Sequence, residues 1–227
     1  MATPHLVQRL PGLIEMQVRT DPAIATYRFG AEKTLDGAFS ATTAMFDVVA
    51  GGNFRSPTLR RTSLGRAEES GMGLTRAAVD LTDYASATVP GDGAIAFIRL
   101  TEIDLAGTVL NEGPILVVPP AGFFSSAYRT LTLTGTAPGA NATPTTLPPI
   151  GAMVLSFPAF VDGLTIYNDE ALNDLYVALG AGVPEIEIPA GESMTLSNGG
   201  TALYLRGQTS TDTAAFRLSA TVISGLR

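Results

Sequence analysis

The chain has 227 residues, of which 45% are hydrophobic and only 15% charged, and its formal net charge is −7. Because an ordinary globular domain carries about 25% charged residues, this composition leaves few polar groups to coat the surface of a free monomer. A wide apolar surface is rare on a monomer. We therefore predict that much apolar surface is buried between subunits; a large internal core is the alternative.

The composition also excludes several classes of protein. The chain has no cysteine, which rules out disulfides and thiolate metal sites and fits synthesis in a reducing cytosol. No stretch reaches the roughly 18 apolar residues of a membrane-spanning helix. The first 21 residues lack the basic region and apolar run of a signal peptide. We expect no membrane partner.

Charge is distributed unevenly along the chain. Residues 1–76 carry nine basic and seven acidic side chains, a net charge of +2, whereas residues 77–227 carry five and fourteen, a net charge of −9. Lys33 is the only lysine, so the other thirteen basic residues are arginines. Arginine is favoured in ion pairs at interfaces because its planar group binds carboxylates bidentately. A GC-rich genome, which favours arginine codons, is the alternative explanation.

Residues 1–20 contain scattered apolar residues, but Pro11–Gly12 interrupts them and would break a helix. The segment is predicted to be an extended N-terminal arm that leads into a first strand at Glu15–Arg19. We expect such an arm to lie on a neighbouring subunit and to be needed for docking rather than folding. A frayed terminus is the alternative.

Residues 21–137 are predicted to form a first β-sandwich domain. Short β-type runs, separated by glycine, proline and aspartate, predict its strands at Ile24–Phe29, Met45–Val49, 94–100, Ile115–Val118 and Tyr128–Thr134. Residues 53–76 differ from these runs because they show little apolar periodicity. They carry five arginines: Arg55, Arg60, Arg61, Arg66 and Arg76. We interpret them as a long surface excursion.

Residues 135–149 are so rich in proline, glycine and threonine that they cannot form a core. They predict a domain boundary, with the linker itself at 138–149. Residues 150–227 then show seven short apolar runs, at Ala152–Phe157, Leu164–Asn168, Leu175–Leu179, Glu185–Ile188, Met194–Ser197, Ala202–Arg206 and Ala215–Ile223. Their spacing predicts an independent antiparallel sandwich or jelly roll.

Alternation within these runs predicts the core of the second domain. The candidates are Leu164, Ile166, Leu175, Val177, Leu203, Leu205, Phe216 and Leu218. No convincing helix occurs anywhere in the chain. The predicted fold class is therefore all-β: two antiparallel β-sandwich or jelly-roll-like domains joined by a Pro/Gly/Thr-rich linker, with an extended N-terminal arm.

Catalytic chemistry is not indicated. The single histidine is His5, in the predicted arm, whereas a triad needs a histidine fixed in a pocket as general base. The chain has no G-x-S-x-G elbow, no P-loop and no G-x-G-x-x-G. We predict that the chain is not an enzyme and has no catalytic or cofactor-binding residue.

Metal binding is equally unsupported. Zinc needs several histidine or cysteine ligands, which the chain lacks. The densest group of oxygen donors, suited in principle to calcium, comprises Asn168, Asp169, Glu170, Asn173 and Asp174. These residues lack the spaced D-x-D-x-D-G arrangement of a calcium loop. We interpret them as a solvated hairpin loop and predict no metal site.

Two glutamates form the best carboxylate pair. Glu185 and Glu187 alternate with Ile186 and Ile188, so both carboxylates point from one face of a strand. Glycosidases use such pairs, but tryptophan, the usual platform for a sugar, is absent. The simpler interpretation is that the isoleucines face the core and the glutamates face water.

Nucleic acid is not an expected partner. The arginines of residues 53–76 are interrupted by Glu68 and Glu69, and the chain is acidic overall. It therefore lacks the basic footprint of a nucleic-acid-binding protein. A protein contact suits these arginines better, for example an acidic patch on a neighbour or on residues 77–227 of another copy.

Two long runs resemble bacteriophage virion proteins. The first, AIAFIRLTEIDLAGTVLNEGPILVVPPAGFFSSAYRTLTLTGTAP, has a D-x-A-G turn followed by a G-P-I-L-V-V-P-P strand, and it is similar to fibronectin- or immunoglobulin-like sandwiches. The second, LTIYNDEALNDLYVALGAGVPEIEIPAGESMTLSNGGTALYLRG, resembles small trimer-forming sandwiches of capsid decoration, neck and tail proteins. The resemblance covers about residues 90–227 and implies no site residues.

The resemblance implies a structural component of a bacteriophage particle, located in the virion and made in the cytoplasm of the bacterial host. We predict a capsid decoration or cement protein that stabilises the shell as a homo-oligomer, a trimer, docked on other virion proteins such as the major capsid protein. The alternatives are a neck, tail or fibre component, or a carbohydrate-binding sandwich that uses Tyr167, Tyr176 and Tyr204 to stack on sugars.

Overall fold

The protein is all-β, as predicted. The structure is a computed structural model that describes residues 5–10, 13–19, 21, 23–32, 35–36, 44–49, 54–55, 66–70, 74–80, 93–121, 123, 128–141 and 152–223. Within these residues it has strands and no α-helix. None of the described residues belongs to a long apolar helix of the kind that spans a bilayer.

The strands are β1 (His5–Leu10), β2 (Leu13–Arg19), β3 (Thr26–Glu32), β4 (Leu35–Asp36), β5 (Ala44–Val49), β6 (Phe54–Arg55), β7 (Arg66–Ser70), β8 (Leu74–Asp80), β9 (Ala96–Ile103), β10 (Val109–Val118), β11 (Tyr128–Ala137), β12 (Met153–Asn168), β13 (Leu175–Ala178), β14 (Ile186–Ile188), β15 (Ser193–Gly207) and β16 (Ala214–Ile223). The chain divides into two compact units. Unit 1 comprises Met1–Lys33 and Ala41–Gly122, and unit 2 comprises Thr34–Ser40 and Phe123–Arg227.

Unit 1 contains strands of two antiparallel sheets. One sheet has the order β1-β2-β8-β7-β6, and in the other β10, β9, β3 and β5 lie side by side. The apolar runs predicted as strands in this part of the sequence all became strands. Their side chains form the core, with Tyr27, Phe29, Ile98, Leu100 and Ile115 buried to 1% exposure or less.

The extended arm predicted in residues 1–20 is wrong where β1 lies, whereas the first strand predicted at Glu15–Arg19 is confirmed as part of β2. Within this segment, β1 and β2 pair antiparallel, and β2 also pairs with β8 along its whole length. Ile14, Met16 and Val18 alternate along β2 and are buried to 2% exposure or less. The apolar period of two therefore indicated an integral strand. Pro11–Gly12 falls between β1 and β2 rather than breaking a helix.

The arginine-rich excursion predicted for residues 53–76 is wrong in part. Strands β6 and β7 lie within it, and β7 pairs antiparallel with β8. The pairing places Glu68 directly opposite Arg76. The run RAEES has no apolar alternation, so local periodicity does not predict a strand there. It forms a strand because its backbone pairs with β8. Residues 56–65 lie outside the described residues.

Unit 2 contains parallel and antiparallel strand pairs and is built around the two long strands β12 and β15. Its strands are ordered β4-β11-β16-β12-β15-β13-β14, and all pair antiparallel except β4, which runs parallel to β11. The eight residues predicted as its core are all buried to 1% exposure or less: Leu164, Ile166, Leu175, Val177, Leu203, Leu205, Phe216 and Leu218. This prediction is confirmed.

The predicted count of seven strands in this region is wrong, because four of the runs belong to two continuous strands. Two predicted runs form β12, and two others form β15. Where two predicted runs join, Gly163 lies opposite Ser197 and Val161 opposite Gly200, next to shifts of register. Glycine within a paired strand marks an irregularity of this kind.

The domain boundary lies earlier than predicted. Strand β11 was assigned to the first domain, but it pairs with β16 over its full length, and so the division falls after Gly122. The start of the predicted linker at 138–149 is also structured. Gly139 bridges to Gly207, and Gly207 N donates to Pro138 O at 2.8 Å. Residues 142–151 lie outside the described residues.

The burial of β2 leads to a prediction about the N-terminal hairpin. Ile14→Asp should destabilise the protein by about 4 kcal/mol or more, because it places an unpaired charge in the core. His5→Asp, at an exposed position of the same hairpin, should leave the melting temperature nearly unchanged. Circular dichroism and thermal melting measure both. A chain beginning at Asp21 that kept its β-type spectrum and melting transition would contradict this assignment.

Candidate functional site

The turn between β9 and β10 is built by its own sequence, Asp104–Thr108. The Asp104 carboxylate Oδ1 accepts hydrogen bonds from Ala106 N at 2.9 Å and from Thr108 N at 2.7 Å. Gly107 N donates to Asp104 O at 3.1 Å, and Gly107 has a φ of 87°. Only glycine adopts this backbone conformation without strain. The loop is therefore fixed by local interactions.

This rigid turn presents apolar side chains to solvent. Leu105 is 93% exposed, Val109 50% and Leu110 49%. Val109 and Leu110 begin β10 next to a shift of register between Val109 and Asn111, where the regular alternation of the strand is interrupted. Farther along the same strand, Ile115–Val118 are fully buried. We call residues 104–110 the hairpin tip; it extends beyond the part of β10 that the core covers.

A shallow cleft of about 340 Å³ lies beside the hairpin tip. Its walls include Ala25, Thr26, Arg28, Ile103 and Val109 together with the turn itself. This volume is at the lower end of the range for ligand pockets, about 300–1,000 Å³. The walls combine apolar side chains with Arg28 and Asp104. The cleft and the tip are therefore one continuous surface suited to a protein side chain or loop.

Polar contacts stiffen the hairpin below its tip. Glu102 is 7% exposed and accepts a hydrogen bond from Asn111 Nδ2 at 3.1 Å. Arg99 and Glu112 form an ion pair across the two strands at 3.6 Å, with Glu112 60% exposed. An exposed pair of this kind adds about 1 kcal/mol at most. The buried Glu102–Asn111 contact is the stronger constraint on strand register.

The oxygen-donor group at residues 168–174 does not converge on one point. Asn168 is buried, and its Nδ2 donates to Asn173 O and Ile188 O, both at 2.9 Å. Asp174 accepts from Ala190 N at 3.3 Å, and Asp169 pairs with Arg217 at 3.1 Å. Each group thus has a partner in the fold. Among the described residues, no cluster of three or more acidic or histidine side chains could hold a metal ion.

The prediction that Glu185 and Glu187 both face water is wrong for Glu185. The Glu185 carboxylate binds the Arg206 guanidinium with both oxygens, at 2.7 Å to Nε and 2.6 Å to Nη2. Its side chain is only 12% exposed. Glu187 is exposed, as predicted, and accepts a hydrogen bond from Tyr176 Oη at 3.2 Å. The two glutamates were predicted to share one face of the strand. On that face, Glu185 contacts Arg206 and Glu187 contacts Tyr176.

Arg206 is the most fully bound charged side chain among the described residues. It is 2% exposed, and its Nη1 donates to the carbonyl oxygens of Ala140, Gly207 and Gln208 at 2.9–3.0 Å. Its guanidinium carbon lies 4.2 Å from the centre of the Tyr176 ring. With Glu185, these contacts join residues that are distant in sequence. Arginine suits this role because its donors diverge in a fixed plane.

The three tyrosines proposed as sugar platforms differ in their surroundings. Arg206 covers one face of the Tyr176 ring, and Arg217 lies 4.5 Å from the centre of the Tyr167 ring. Burial raises the pKa of Tyr176 above its ordinary value of 10.0, and the hydrogen bond and negative charge of Glu187 raise it further. Tyr204 and Tyr167 are half-buried. The Tyr176 side chain thus contacts Arg206 with its ring and Glu187 with its hydroxyl group.

His5 lies exposed on β1. The hairpin tip is the feature that the sequence did not reveal. Its D-x-A-G turn was recognised, but the apolar residues around the turn have the same pattern as core residues. Only their exposure in the folded unit separates Leu105 from Leu116, which is 1% exposed.

No family model matches the chain, and no curated protein sequence matches it. A marsupial T cell receptor is among the solved structures that match the chain, with 10% sequence identity and a TM-score of 0.30. The alignment covers 98% of this chain and 62% of that one. A TM-score this low supports no argument about function.

The buried ion pair leads to the first prediction for this region. Glu185→Gln should destabilise the protein by about 3–5 kcal/mol, because Arg206 would remain buried without its counter-charge. The double variant Glu185→Leu/Arg206→Met should recover part of this loss, since it removes both charges but leaves the carbonyl oxygens of Ala140 and Gly207 without their donor. Urea denaturation measures both, with the exposed Glu187→Gln as control. Equal stability of Glu185→Gln and the native chain would show that the pair contributes nothing.

The raised pKa of Tyr176 leads to the second prediction. Folding favours the protonated form of Tyr176. This side chain therefore makes its full contribution to the free energy of unfolding below about pH 10, which is its pKa in the unfolded chain. It is lost as the pH rises through the higher folded pKa. In an alkaline absorbance titration, Glu187→Gln should lower the pKa of Tyr176, with Tyr176→Phe identifying its signal. An unchanged titration curve would contradict the assigned contact.

Proposed function

We propose that this chain is a structural component of a bacteriophage particle, a capsid decoration or cement protein that oligomerises and docks on neighbouring subunits of the shell. The observation that carries the proposal is the exposed apolar hairpin tip with its adjoining cleft. A rigid apolar projection beside a recess suits association with another protein surface. Because the turn is held by Asp104 and Gly107, little conformational entropy is lost when the tip is buried.

Composition supports an assembly role independently of the tip. With only 15% charged residues and a mean hydropathy of +0.25, the chain has the balance expected when apolar surface is covered by other subunits. Obligate interfaces of this kind bury more than about 2,000 Å². The hairpin tip would supply a central apolar anchor for such an interface. The positive charge of residues 1–76 and the negative charge of residues 77–227 would favour contacts between copies.

The identity of the particle is supported by the resemblance of two sequence runs to virion proteins. The first run contains the hairpin tip, and the second contains β13, β14 and all of β15. A neck, tail or fibre position is the alternative place in the same particle. Labelled antibody against this chain, imaged by electron microscopy on intact particles, distinguishes these positions. Absence of label from every particle would contradict the proposal.

The assembly role itself is tested through Leu105. We expect the native chain to be oligomeric, a trimer of the 23.5 kDa chain, when measured by light scattering at micromolar concentration. Leu105→Asp should shift the mass toward the monomer, because burial of the tip would then bury a charge. Because Leu105 is 93% exposed, the substitution should change the free energy of unfolding of the protein by no more than about 0.5 kcal/mol.

The matched control is Leu172→Asp, because Leu172 is 86% exposed but belongs to unit 2. It should leave the measured mass unchanged. A native chain that remains monomeric both alone and mixed with particles would contradict the assembly role. Dissociation by Leu172→Asp rather than Leu105→Asp would show that a different surface forms the contact.

A further inference from the structure

A regular array of hydroxyl groups covers one face of unit 2. Pairing of β11, β16, β12 and β15 places Thr132, Ser219, Thr165 and Thr195 side by side in one row across the four strands. None of these residues is buried. The two adjacent threonines of this row are joined, with Thr165 Oγ1 and Thr195 Oγ1 3.1 Å apart. Leucine, isoleucine and alanine side chains on the opposite face form the core.

The rows on either side continue this array. One row consists of Thr134, Arg217, Tyr167 and Ser193, again in direct register. Its neighbours on the same face lie about 4.8 Å apart across the strands, and successive rows lie about 6.7 Å apart along them. All four residues are exposed or half-buried.

The third row has Thr130, Thr221 and Ser197 around Gly163. A Cβ on Gly163 would lie 4.0 Å from Thr221 Oγ1, in ordinary contact distance. Glycine here keeps the face open without being required by the packing. We call these three rows the hydroxyl face.

The hydroxyl face is unusual in its lack of charge. Solvent-exposed strand positions commonly carry lysine, glutamate or arginine, whereas Arg217 is the one charged residue among the twelve positions. Asp169 neutralises it at 3.1 Å. The face therefore offers donors and acceptors in comparable number and almost no net field. This chemistry matches a neutral polyol better than an ion or an apolar surface.

One corner of the face combines an aromatic ring with a planar ion pair. Arg217 lies over the Tyr167 ring at 4.5 Å, and its Nη2 pairs with Asp169 Oδ1 at 3.1 Å. Asp169 is itself positioned because its N donates to Ala215 O at 2.9 Å. Arg217 and Asp169 remain 49% and 43% exposed. Their free donors and acceptors can bind neighbouring hydroxyls, while the tyrosine supplies an amphipathic surface.

We propose that the hydroxyl face binds a neutral polysaccharide. Sugar hydroxyls both donate and accept, as the threonine and serine hydroxyls do, and a linear chain can follow the rows across the strands. An anionic polysaccharide is disfavoured by the net charge of −7. This inference does not rest on the proposed assembly role, because the hydroxyl face lies in unit 2 and the hairpin tip in unit 1.

The test is affinity electrophoresis of the full chain in native gels that contain dextran, xylan or galactomannan, with alginate as the anionic comparison. We expect at least one neutral polysaccharide to retard the protein and alginate to have no effect. Thr132→Glu/Thr195→Glu places charge in the central row at two exposed positions and should abolish the retardation. The control Ala181→Glu/Gln208→Glu adds the same charge at exposed positions outside the face and should keep it.

A second measurement concerns the aromatic corner. The chain has no tryptophan, so tyrosine emission is directly observable when the retarding polysaccharide is titrated. Tyr167→Phe should bind like the native chain, whereas Tyr167→Ala should bind about threefold to tenfold more weakly. No retardation by any of the three neutral polysaccharides overturns the proposal. Retardation by alginate alone, or retardation that survives Thr132→Glu/Thr195→Glu in a folded protein, overturns it as well.

Discussion

The buried arginine Arg206 is the constraint on which the organisation of unit 2 depends. A guanidinium that is 2% exposed must have all its donors satisfied, and here the partners are the Glu185 carboxylate and three backbone carbonyls. These partners come from the segment after β11, from the end of β15 and from the approach to β14. The arginine therefore fixes three chain segments at one point. Loss of any partner would leave the buried guanidinium of Arg206 incompletely hydrogen-bonded. The contacts therefore favour the one arrangement of these segments in which every partner is in place.

Glycine makes this arrangement possible where the backbone crowds the arginine. A Cβ at Gly139 or Gly207 would overlap backbone atoms of the 209–212 segment. The chain can therefore bring Pro138 and Ala140 against β15, where they hydrogen-bond to Gly207 and Arg206. A stretch rich in proline, glycine and threonine thus begins as part of the fold. Its composition permits the close approach that the arginine requires.

The hairpin tip and the hydroxyl face have different chemistry and suit different partners. The hairpin tip is apolar, narrow and held rigid by backbone hydrogen bonds, which suits burial against a protein. The hydroxyl face is broad, uncharged and able to donate and accept, which suits a polyol. Each surface lies within one unit. Substitutions in one surface therefore test its proposed contact without altering the other surface.

The sequence by itself determined the all-β class and the eight core residues of unit 2, because strict alternation with Leu, Ile, Val and Phe has only one face to bury. It also indicated the turn at Asp104–Gly107, since Asp and Gly act there through local backbone contacts.

Tertiary structure alone decided which strands pair. It made β11 part of unit 2, joined four predicted runs into β12 and β15, and made β1, which lies in the predicted arm, the partner of β2. It also decided the sites: Glu185 and Glu187 have the same local pattern, but only Glu185 meets Arg206, which lies 21 residues away. Pairing and exposure depend on contacts between distant residues, and local periodicity carries no information about those contacts.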